Sequence, residues 1–315
     1  MQPWKFFAWT LLFPLSLAQC PLYTGHAAQR HEPFTQTSRN LSFARPIPPC
    51  RTFYSQEVED TIERLRHVIA DPDLFRVFEN SWPSTLDTTI AWRGWSNTTI
   101  DAQGYGEDQV QEEELTFVIT GDIEAMWLRD SANQLQAYVS ILKNDPKSDS
   151  LASLFRGAIN LQARYILESP FCNAFQAPEE SSIVRKSSMN SDQISPYFDY
   201  YKVFSCQWEL DSVASFLQLS VDYVTATKDY AFFQRSSNWT KAVDVVLKTA
   251  ESMMIDSYTD DGEWQHTPYT YCAPYGGVRN HMFGLHLRHT LTLYLRFCRH
   301  QSTTATALHI VATLA

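Results

Sequence analysis

The feature that most constrains the fold of this chain is a succession of amphipathic helical segments joined by loops. In each segment the apolar side chains recur at helical spacing, so that one face of the predicted helix is apolar. The segments with this pattern cover residues 55–70, 73–80, 131–142, 150–168, 212–227 and 239–255. Few other stretches favour strands. The pattern therefore predicts a mostly α-helical protein built from helical hairpins.

Residues 86–120 interrupt the helical pattern. Residues 88–92 and 116–120 are rich in β-branched and aromatic side chains, which favour strands. The segment between them contains several glycines and the run Glu112-Glu113-Glu114, which we interpret as solvated surface. Two interpretations remain open for the whole segment: a short β-hairpin, or a long excursion from the rim of a helical domain.

The composition restricts the class of partner. The formal net charge is −10 and aromatic residues make up 14% of the 315 residues. A nucleic-acid backbone requires a basic surface, so we expect no nucleic-acid partner. Aromatic rings and carboxylates together suit neutral polyols such as sugars, because rings stack on pyranose faces and carboxylates accept hydroxyl protons.

The first residues predict entry into the secretory pathway. Lys5 precedes a short and almost entirely apolar run over residues 6–17, and small residues occupy Ser16 and Ala18, so residues 1–18 are predicted to be a signal peptide. No later apolar stretch is long enough to span a membrane, and no span is expected in the mature chain. Three glycosylation sequons agree with secretion; they begin at Asn40, Asn97 and Asn238.

Six cysteines are present, none in Cys-x-x-Cys spacing. In an oxidising compartment structural disulfides are the expected use. Six cysteines allow about 15 connectivities, and their spacing alone does not choose among them.

Two segments of the chain share a sequence pattern. Trp127-Leu128-Arg129-Asp130-Ser131 and Trp208-Glu209-Leu210-Asp211-Ser212 both read Trp-x-x-Asp-Ser, 81 residues apart, and each begins a predicted helix. Two helical hairpins fit in that interval. In a toroid of such hairpins, equivalent helix starts share one rim, so Asp130 and Asp211 would face one cavity. A chance match and a plain N-cap role for both aspartates are the competing interpretations.

Motifs for nucleotide binding, serine hydrolysis and zinc-protease chemistry are absent, which leaves carboxylate chemistry. Glycoside cleavage uses one carboxylic acid to protonate the leaving oxygen and a second carboxylate on the opposite face of the sugar. The candidates that can share a rim are Asp122, Glu124, Asp130, Glu209 and Asp211.

The run from Thr120 to Gln134, TGDIEAMWLRDSANQ, closely resembles the signature stretch of glycoside hydrolase family 125. The resemblance covers roughly residues 20–271. Further matching stretches are Arg45-Pro46, Cys50-Arg51-Thr52-Phe53, Asp71-Pro72-Asp73-Leu74, Phe78-Glu79-Asn80, residues 86–90 and Trp208-Glu209-Leu210-Asp211-Ser212.

This resemblance implies a six-hairpin (α/α) toroid and an inverting exo-α-1,6-mannosidase that uses no metal or other cofactor. It matches Asp211 to the family's general acid. The remaining site residues would form the pocket for the terminal mannose of an oligosaccharide or glycan; they are Asp122, Trp127, Arg129, Asp130 and Glu209. Arg129 would donate from a rigid fork, and the carboxylates would accept from neighbouring hydroxyls.

The sequence departs from the family pattern after about residue 271. No Asp or Glu follows Glu263, and nothing in residues 272–315 matches the family's general base. We therefore divide the chain into a signal peptide (1–18), an irregular lead (19–54), a partial toroid (55–271) and an unassigned tail (272–315). A shifted reading frame or a retained intron after residue 271 is one hypothesis for the tail.

Three functional interpretations follow. The first is an α-1,6-mannosidase whose general base is missing from this chain. The second is a catalytically inactive, shortened paralogue that binds mannose. The third, another toroidal glycosidase such as a glucoamylase-like enzyme, leaves the match over residues 121–134 unexplained.

Overall fold

The structure is a computed structural model, and it describes residues 20–21, 23–100, 109–188, 192–256, 258–263 and 265–272. The predicted signal peptide at 1–18 and nearly all of the tail at 272–315 therefore lie outside the described residues.

Helices dominate the described residues, as the sequence predicts. In chain order they are α1 (Tyr23–Ala27), α2 (Gln56–Arg66), α3 (Pro72–Ser81), α4 (Ser84–Thr88), α5 (Leu128–Gln136), α6 (Leu151–Glu168), α7 (Leu210–Thr227), α8 (Tyr230–Arg235) and α9 (Ser237–Ser252). Short 3-10 turns occur at Pro48–Cys50, Val139–Ile141 and Glu179–Ser181. Among these described helices, none is both long and apolar enough to cross a membrane.

Within the described residues the strands form three small antiparallel sheets. They are β1 (Ile90–Ile100), β2 (Gln109–Val118), β3 (Met126–Trp127), β4 (Ala174–Phe175), β5 (Gln193–Ser195), β6 (Val203–Ser205) and β7 (Thr270–Cys272). β1 pairs with β2, β4 lies between β3 and β6, and β5 pairs with β7. The segment at 86–120 thus contains a β-hairpin, one of the two structures expected for it, with strands longer than the sequence indicated.

Helix α6 is the centre of the hydrophobic core. Ser150 caps its start by accepting from Ser153 N at 3.1 Å, and most of its side chains are buried on every side. It packs against β2, α7 and α9. Gly157 allows the closest approach to β2, because a Cβ atom there would lie 2.3 Å from Thr116 Oγ1.

An ion pair fixes the hairpin on α6. Arg156 Nε donates to Glu114 Oε2 at 2.6 Å, and both side chains are nearly buried. Glu113 is also buried. The expectation that the run Glu112-Glu113-Glu114 is solvated surface is therefore wrong for two of its three members, because arginines of α6 neutralise them: Arg164 Nε lies 3.6 Å from Glu113 Oε2.

The N-terminal lead is largely irregular, as predicted, but it contains α1 and one 3-10 turn. It is attached to the helical domain by buried charges. Arg45 donates to Asp87 Oδ2 at 2.7 Å and to Glu59 Oε1 at 2.6 Å, and Asp87 lies at the end of α4. A disulfide joins Cys20 to Cys50 within the lead.

A second disulfide joins Cys172 to Cys206. The two disulfides settle the pairing of four of the six cysteines, which sequence spacing had left open. Cys298 lies outside the described residues.

Several local predictions need correction. α2 ends at Arg66 rather than residue 70, and α5 covers Leu128–Gln136 rather than 131–142. Ser131 and Gln134 have the spacing of a capping box, but Ser131 lies inside α5 and its hydroxyl donates back to Trp127 O at 2.6 Å. On α3, the apolar side chains of Leu74 and Val77 are exposed, since the buried face carries Phe75, Arg76 and Glu79.

Candidate active site

The two Trp-x-x-Asp-Ser segments meet in space. α5 begins at Leu128 and α7 begins at Leu210, and the two helices pack against each other. Their first turns bring together a group that we call the Arg129 cluster, which consists of Arg129, Asp130, Glu209 and Asp211. The prediction that the two helix starts share one rim is thus confirmed.

Arg129 is the centre of the cluster. Its Nη1 donates to Asp211 Oδ2 at 2.7 Å and lies 3.5 Å from Glu209 Oε2, while its Nε lies 3.9 Å from Asp130 Oδ2. The hydrogen bond from Arg129 to Asp211 raises the pKa of the guanidinium, which stays fully charged. One cation and three carboxylates give the cluster a net negative charge.

The cluster is open to solvent. The Asp211 side chain is 64% exposed, and the other three side chains are partly exposed. Trp208 is buried and lies edge-on to Phe171 at 5.8 Å, but Asp211 is not buried against it. The Trp208 Nε1 atom has no hydrogen-bond partner among the described residues.

Asp130 and Asp211 do not occupy the N-cap positions of α5 and α7. Trp127 and Glu209 occupy the N-cap positions of α5 and α7, and neither caps its helix through its side chain. Asp130 and Asp211 lie in the first turns instead, so the plain N-cap interpretation of both aspartates is wrong. A carboxylate in a first turn is still stabilised by the helix dipole.

The three-stranded sheet β3–β4–β6 sets the distance between the two helix starts. β3 leads directly into α5, and β6 is followed within five residues by α7. Trp127 on β3 packs edge-on against Phe204 on β6, with ring centroids 5.3 Å apart. The Cys172–Cys206 disulfide ties the chain beside β4 to the chain after β6.

Asn173 connects both helix starts and was not identified from the sequence. Its backbone oxygen accepts from Leu128 N at 3.1 Å, and its Oδ1 accepts from Gln207 N at 3.1 Å. The residue is buried beside the disulfide. No local pattern marks an isolated asparagine as a site residue, and only its position next to Cys172 could have drawn attention to it.

A second buried amide supports α5. Gln162 Nε2 on α6 donates to Leu128 O at 3.1 Å and to Ser131 Oγ at 2.9 Å. Together, Asn173 and Gln162 fix the first turn of α5, which carries Arg129 and Asp130.

Two other candidate residues lie after β2. Asp122 and Glu124 are exposed in the turn that follows this strand, and Asp122 Oδ1 accepts from Thr120 Oγ1 at 3.3 Å. Gly121 has φ +120°, a conformation that favours glycine. In the described part of the chain, no hydrogen bond or ion pair joins Asp122 or Glu124 to the Arg129 cluster.

No group of three or more His, Cys, Asp or Glu side chains within the described ranges is arranged to hold a metal ion. The cluster offers a donor fork and three acceptor carboxylates, and the half-buried indole of Trp127 precedes it at the start of α5. Such a set can bind the hydroxyls and one face of a pyranose.

Comparison with proteins of established family identifies the chain. The sequence profile of the metal-independent α-mannosidases of glycoside hydrolase family 125 matches residues 71–283, a range that extends past residue 271, where the resemblance was expected to fail. The meiotically up-regulated gene 157 protein of Schizosaccharomyces pombe is 42% identical over 241 residues, which is 76% of this chain and 43% of that protein. This chain therefore spans less than half the length of that relative.

A solved structure agrees in fold. A metal-independent α-mannosidase of Streptococcus pneumoniae, in a non-productive complex with α-1,6-mannobiose, matches 84% of this chain and 61% of its own with a TM-score of 0.50 and 19% identity. This similarity confirms the predicted α/α architecture. The profile and the sequence relative establish the family: the chain belongs to glycoside hydrolase family 125, the metal-independent α-mannosidases.

Proposed function

We propose that this chain carries the terminal-mannose pocket of a secreted exo-α-1,6-mannosidase in which Asp211 is the general acid. The observation that supports this most strongly is the 2.7 Å contact between Arg129 and Asp211, which brings together two segments far apart in the sequence. Family membership supports an α-mannosidase in general. The α-1,6 linkage, the exo mode, the inverting mechanism and the residue roles belong to the proposal.

In the proposed pocket, Arg129 and the carboxylates of Asp130 and Glu209 bind hydroxyls of the terminal mannose. Trp127 contributes an aromatic surface at its edge. Asp122 would reach the same sugar from the turn after β2. Neutral sugars favour such a mixed set, because each hydroxyl can both donate to a carboxylate and accept from a guanidinium.

Asp211 would protonate the glycosidic oxygen as the bond to the anomeric carbon breaks, and a water activated by a second carboxylate would attack from the opposite face. Arg129 binds Asp211 through Oδ2 only. No described residue is hydrogen-bonded to Oδ1, which leaves that oxygen for the leaving group. We assign the general base to no residue of this chain, so water must attack without that assistance and release by the chain is expected to be roughly 10²–10⁴-fold slower than with a base.

One observation favours a second candidate function, mannose binding without turnover. A general acid must carry a proton, whereas the exposed carboxylate of Asp211 is engaged by a permanently charged guanidinium. In this alternative, Arg129 and Asp211 act as a fixed donor and acceptor pair that orients a sugar.

Mannose release from α-1,6-, α-1,3- and α-1,2-mannobiose separates the candidates. The proposal predicts release of mannose from the α-1,6 isomer and loss of that release in Asp211→Asn. Proton NMR of the first-formed mannose anomer should show inversion. Asp222→Asn is the matched control, since Asp222 is a half-buried aspartate later on α7 that binds Gln218 and Gln136. Saturable binding with no release supports the alternative, and glucose release from an α-glucoside contradicts both.

Secretion is the second part of the proposal. The pairing of Cys20 with Cys50 and of Cys172 with Cys206 supports it, because such bonds persist in oxidising compartments. Expression in a eukaryotic host with a C-terminal tag is the test. Recovery of the chain from the medium with an N-terminus at Gln19 is expected, and a full-length chain retained in the cytosol contradicts it.

A further inference from the structure

A polar cleft lies at the opposite end of α7 from the Arg129 cluster. Its volume is about 320 Å³, and its lining includes Trp95, Glu113, Glu114, Asn160, Arg235 and Asn238. We call it the Trp95 cleft. Asp229, which follows the C-terminal end of α7, also lines it. Because α7 has 18 residues and a helix rises ~1.5 Å per residue, about 25 Å separate the cleft from Asp211.

A chain of buried polar contacts forms the floor of the cleft. Arg156 pairs with Glu114 and also donates to the Tyr223 hydroxyl at 3.3 Å, and that hydroxyl donates to Asp229 Oδ2 at 2.8 Å. These contacts join β2, α6 and α7 and satisfy the charge of Arg156. The floor is therefore rigid and close to electrically balanced before any ligand arrives.

Two other groups at the cleft, one oxygen of Asn160 and the guanidinium of Arg235, lack a partner in the part of the chain that the structure describes. Asn160 is 4% exposed, and its Oδ1 has no hydrogen-bond partner in the described part of the chain, although its Nδ2 donates to Glu114 O at 3.0 Å. Arg235 forms no ion pair with any residue that the structure describes. A buried acceptor without a partner is costly unless a ligand or water supplies the donor.

Trp95 supplies the apolar surface. It lies on β1 opposite Glu114 on β2, and half of its surface is exposed. A smaller cleft of about 200 Å³ also borders Trp95 and Glu114, so the space around the indole extends beyond one cavity. An exposed indole beside carboxylates and an amide is the arrangement by which proteins bind a pyranose.

The charges of the cleft select among ligand classes. Outside the Arg156–Glu114 and Arg164–Glu113 pairs, Glu112 and Asp229 disfavour phosphates and other anions, while Arg235 disfavours cations. A neutral polyhydroxylated molecule meets neither penalty. Small-ligand pockets occupy ~300–1,000 Å³, and the Trp95 cleft falls at the small end of that range.

We propose that the Trp95 cleft is a second carbohydrate site, distinct from the Arg129 cluster, which binds a neutral hexose-containing saccharide with one ring stacked on Trp95. The ligand has two possible sources. One is a free oligosaccharide. The other is a glycan attached to the chain itself, because Asn238 begins a sequon and lines the cleft.

Fluorine NMR of the chain labelled with fluorotryptophan tests the proposal at the residue concerned. The full chain is produced in yeast with Asp211→Asn, so that the probe, α-1,6-mannobiose, is not consumed. Trp95→Phe identifies the Trp95 resonance among those of the other tryptophans. Thr240→Ala removes the sequon without touching the cleft, since Thr240 is exposed on α9 and absent from the lining.

In the Thr240→Ala chain we expect the Trp95 resonance to shift saturably with mannobiose. Adding Asn160→Ala should weaken that binding by roughly tenfold, because it removes the unpartnered acceptor and the amide that donates to Glu114. Adding Arg129→Ala instead should leave the Trp95 response unchanged, since the two sites are separate. A thermal melt confirms that each variant is folded.

The chain with its sequon intact distinguishes the two sources. A Trp95 resonance already displaced and insensitive to mannobiose indicates that the attached glycan fills the cleft. A response equal to that of Thr240→Ala indicates a free saccharide. Both results support the site. A Trp95 resonance that ignores mannobiose up to the solubility of the sugar and is identical with and without the glycan overturns the proposal, as does a response that Arg129→Ala abolishes.

Discussion

Arg129 and Asp211 are 82 residues apart in the sequence, yet their side chains form a hydrogen-bonded ion pair of 2.7 Å. The contact exists because each residue lies in the first turn of a helix and the two helices start side by side. Arg129 is the only described cation near three carboxylates of this rim. The pair therefore serves as the reference point for the proposed mannose pocket.

Replacement of Arg129 tests that role. Arg129→Lys keeps the charge but loses the planar fork that reaches several acceptors at once. We expect mannose release from α-1,6-mannobiose to fall by roughly a hundredfold, which corresponds to about 3 kcal/mol of lost hydrogen bonding to charged groups. Arg66→Lys on α2, whose side chain pairs with Glu63 and Glu79, is the matched control. Equal activities of the two variants would exclude Arg129 from the pocket.

Asn173 should behave as a positioning residue. Asn173→Ala removes the acceptor for Gln207 N and leaves a donor unpaired beside α7, which we expect to lower the free energy of unfolding by ~1–3 kcal/mol. Asn173→Asp keeps an oxygen at Oδ1 and should restore most of the loss. Urea denaturation measures the stability, and mannobiose affinity should follow the same order. If Asn173→Asp loses as much unfolding free energy as Asn173→Ala, the amide nitrogen rather than the oxygen of Asn173 is responsible for the stability.

The two disulfides offer a matched comparison because they close loops of similar length. The sequence separation is 30 for Cys20–Cys50 and 34 for Cys172–Cys206. Replacing either pair by alanines should cost ~3–4 kcal/mol through the entropy of the unfolded chain. Only Cys172→Ala/Cys206→Ala should also weaken mannobiose binding, because that bond adjoins the sheet that spaces α5 and α7. Titration calorimetry on both double variants measures this, and equal affinities would separate the disulfide from the site.

Much of the fold could be predicted because local periodicity governs it. The helices at Leu151–Glu168 and Ser237–Ser252 follow the predicted segments closely, since each carries apolar side chains at helical spacing and begins at a serine cap. The start of α5 could not be predicted. Leu128 N is satisfied by Asn173 O, just before β4, so the helix begins three residues before Ser131, where the predicted segment starts.

In the site, too, features set by a local sequence pattern could be predicted and features set by tertiary contacts could not. The shared rim of Arg129 and Asp211 was predictable because the two helix starts repeat a sequence pattern. The burial of Glu113 and Glu114 was not, because the arginines that neutralise them lie more than 40 residues away on α6. Asn173 was missed for a similar reason: what makes it important is a pair of tertiary hydrogen bonds, and these leave no periodic signal.

Gly157 tests the packing of the hairpin on α6. In Gly157→Ala the new Cβ would lie 2.3 Å from Thr116 Oγ1 and 2.9 Å from two backbone atoms of β2, so the strand must move. We expect a loss of ~1–3 kcal/mol in unfolding free energy, as for other overpacked cores. Gly25→Ala is the control, because no atom lies within 4 Å of a Cβ at that position. Equal melting temperatures would contradict the close approach.

Asp222 on α7 gives a prediction about pH. Burial raises the pKa of its carboxyl above the usual value, against the opposing hydrogen bonds from Gln218 and Gln136. The folded state therefore binds this proton more tightly than the unfolded state does. The contribution of Asp222 is favourable at low pH and is lost as pH rises from the unfolded pKa of about 3.9 through the raised folded value.

Asp222→Asn removes this dependence and keeps the hydrogen-bonding shape. At neutral pH we expect the variant to melt above the wild type, and the difference should shrink as pH falls through the folded pKa of Asp222. Asp244→Asn, which replaces an exposed aspartate paired with Lys248, is the control and should not raise the melting temperature at neutral pH. Melting curves from pH 3 to 8 measure the difference. A variant less stable than the wild type at pH 7 would mean that the ionised carboxylate is held by its two glutamines more strongly than burial opposes it.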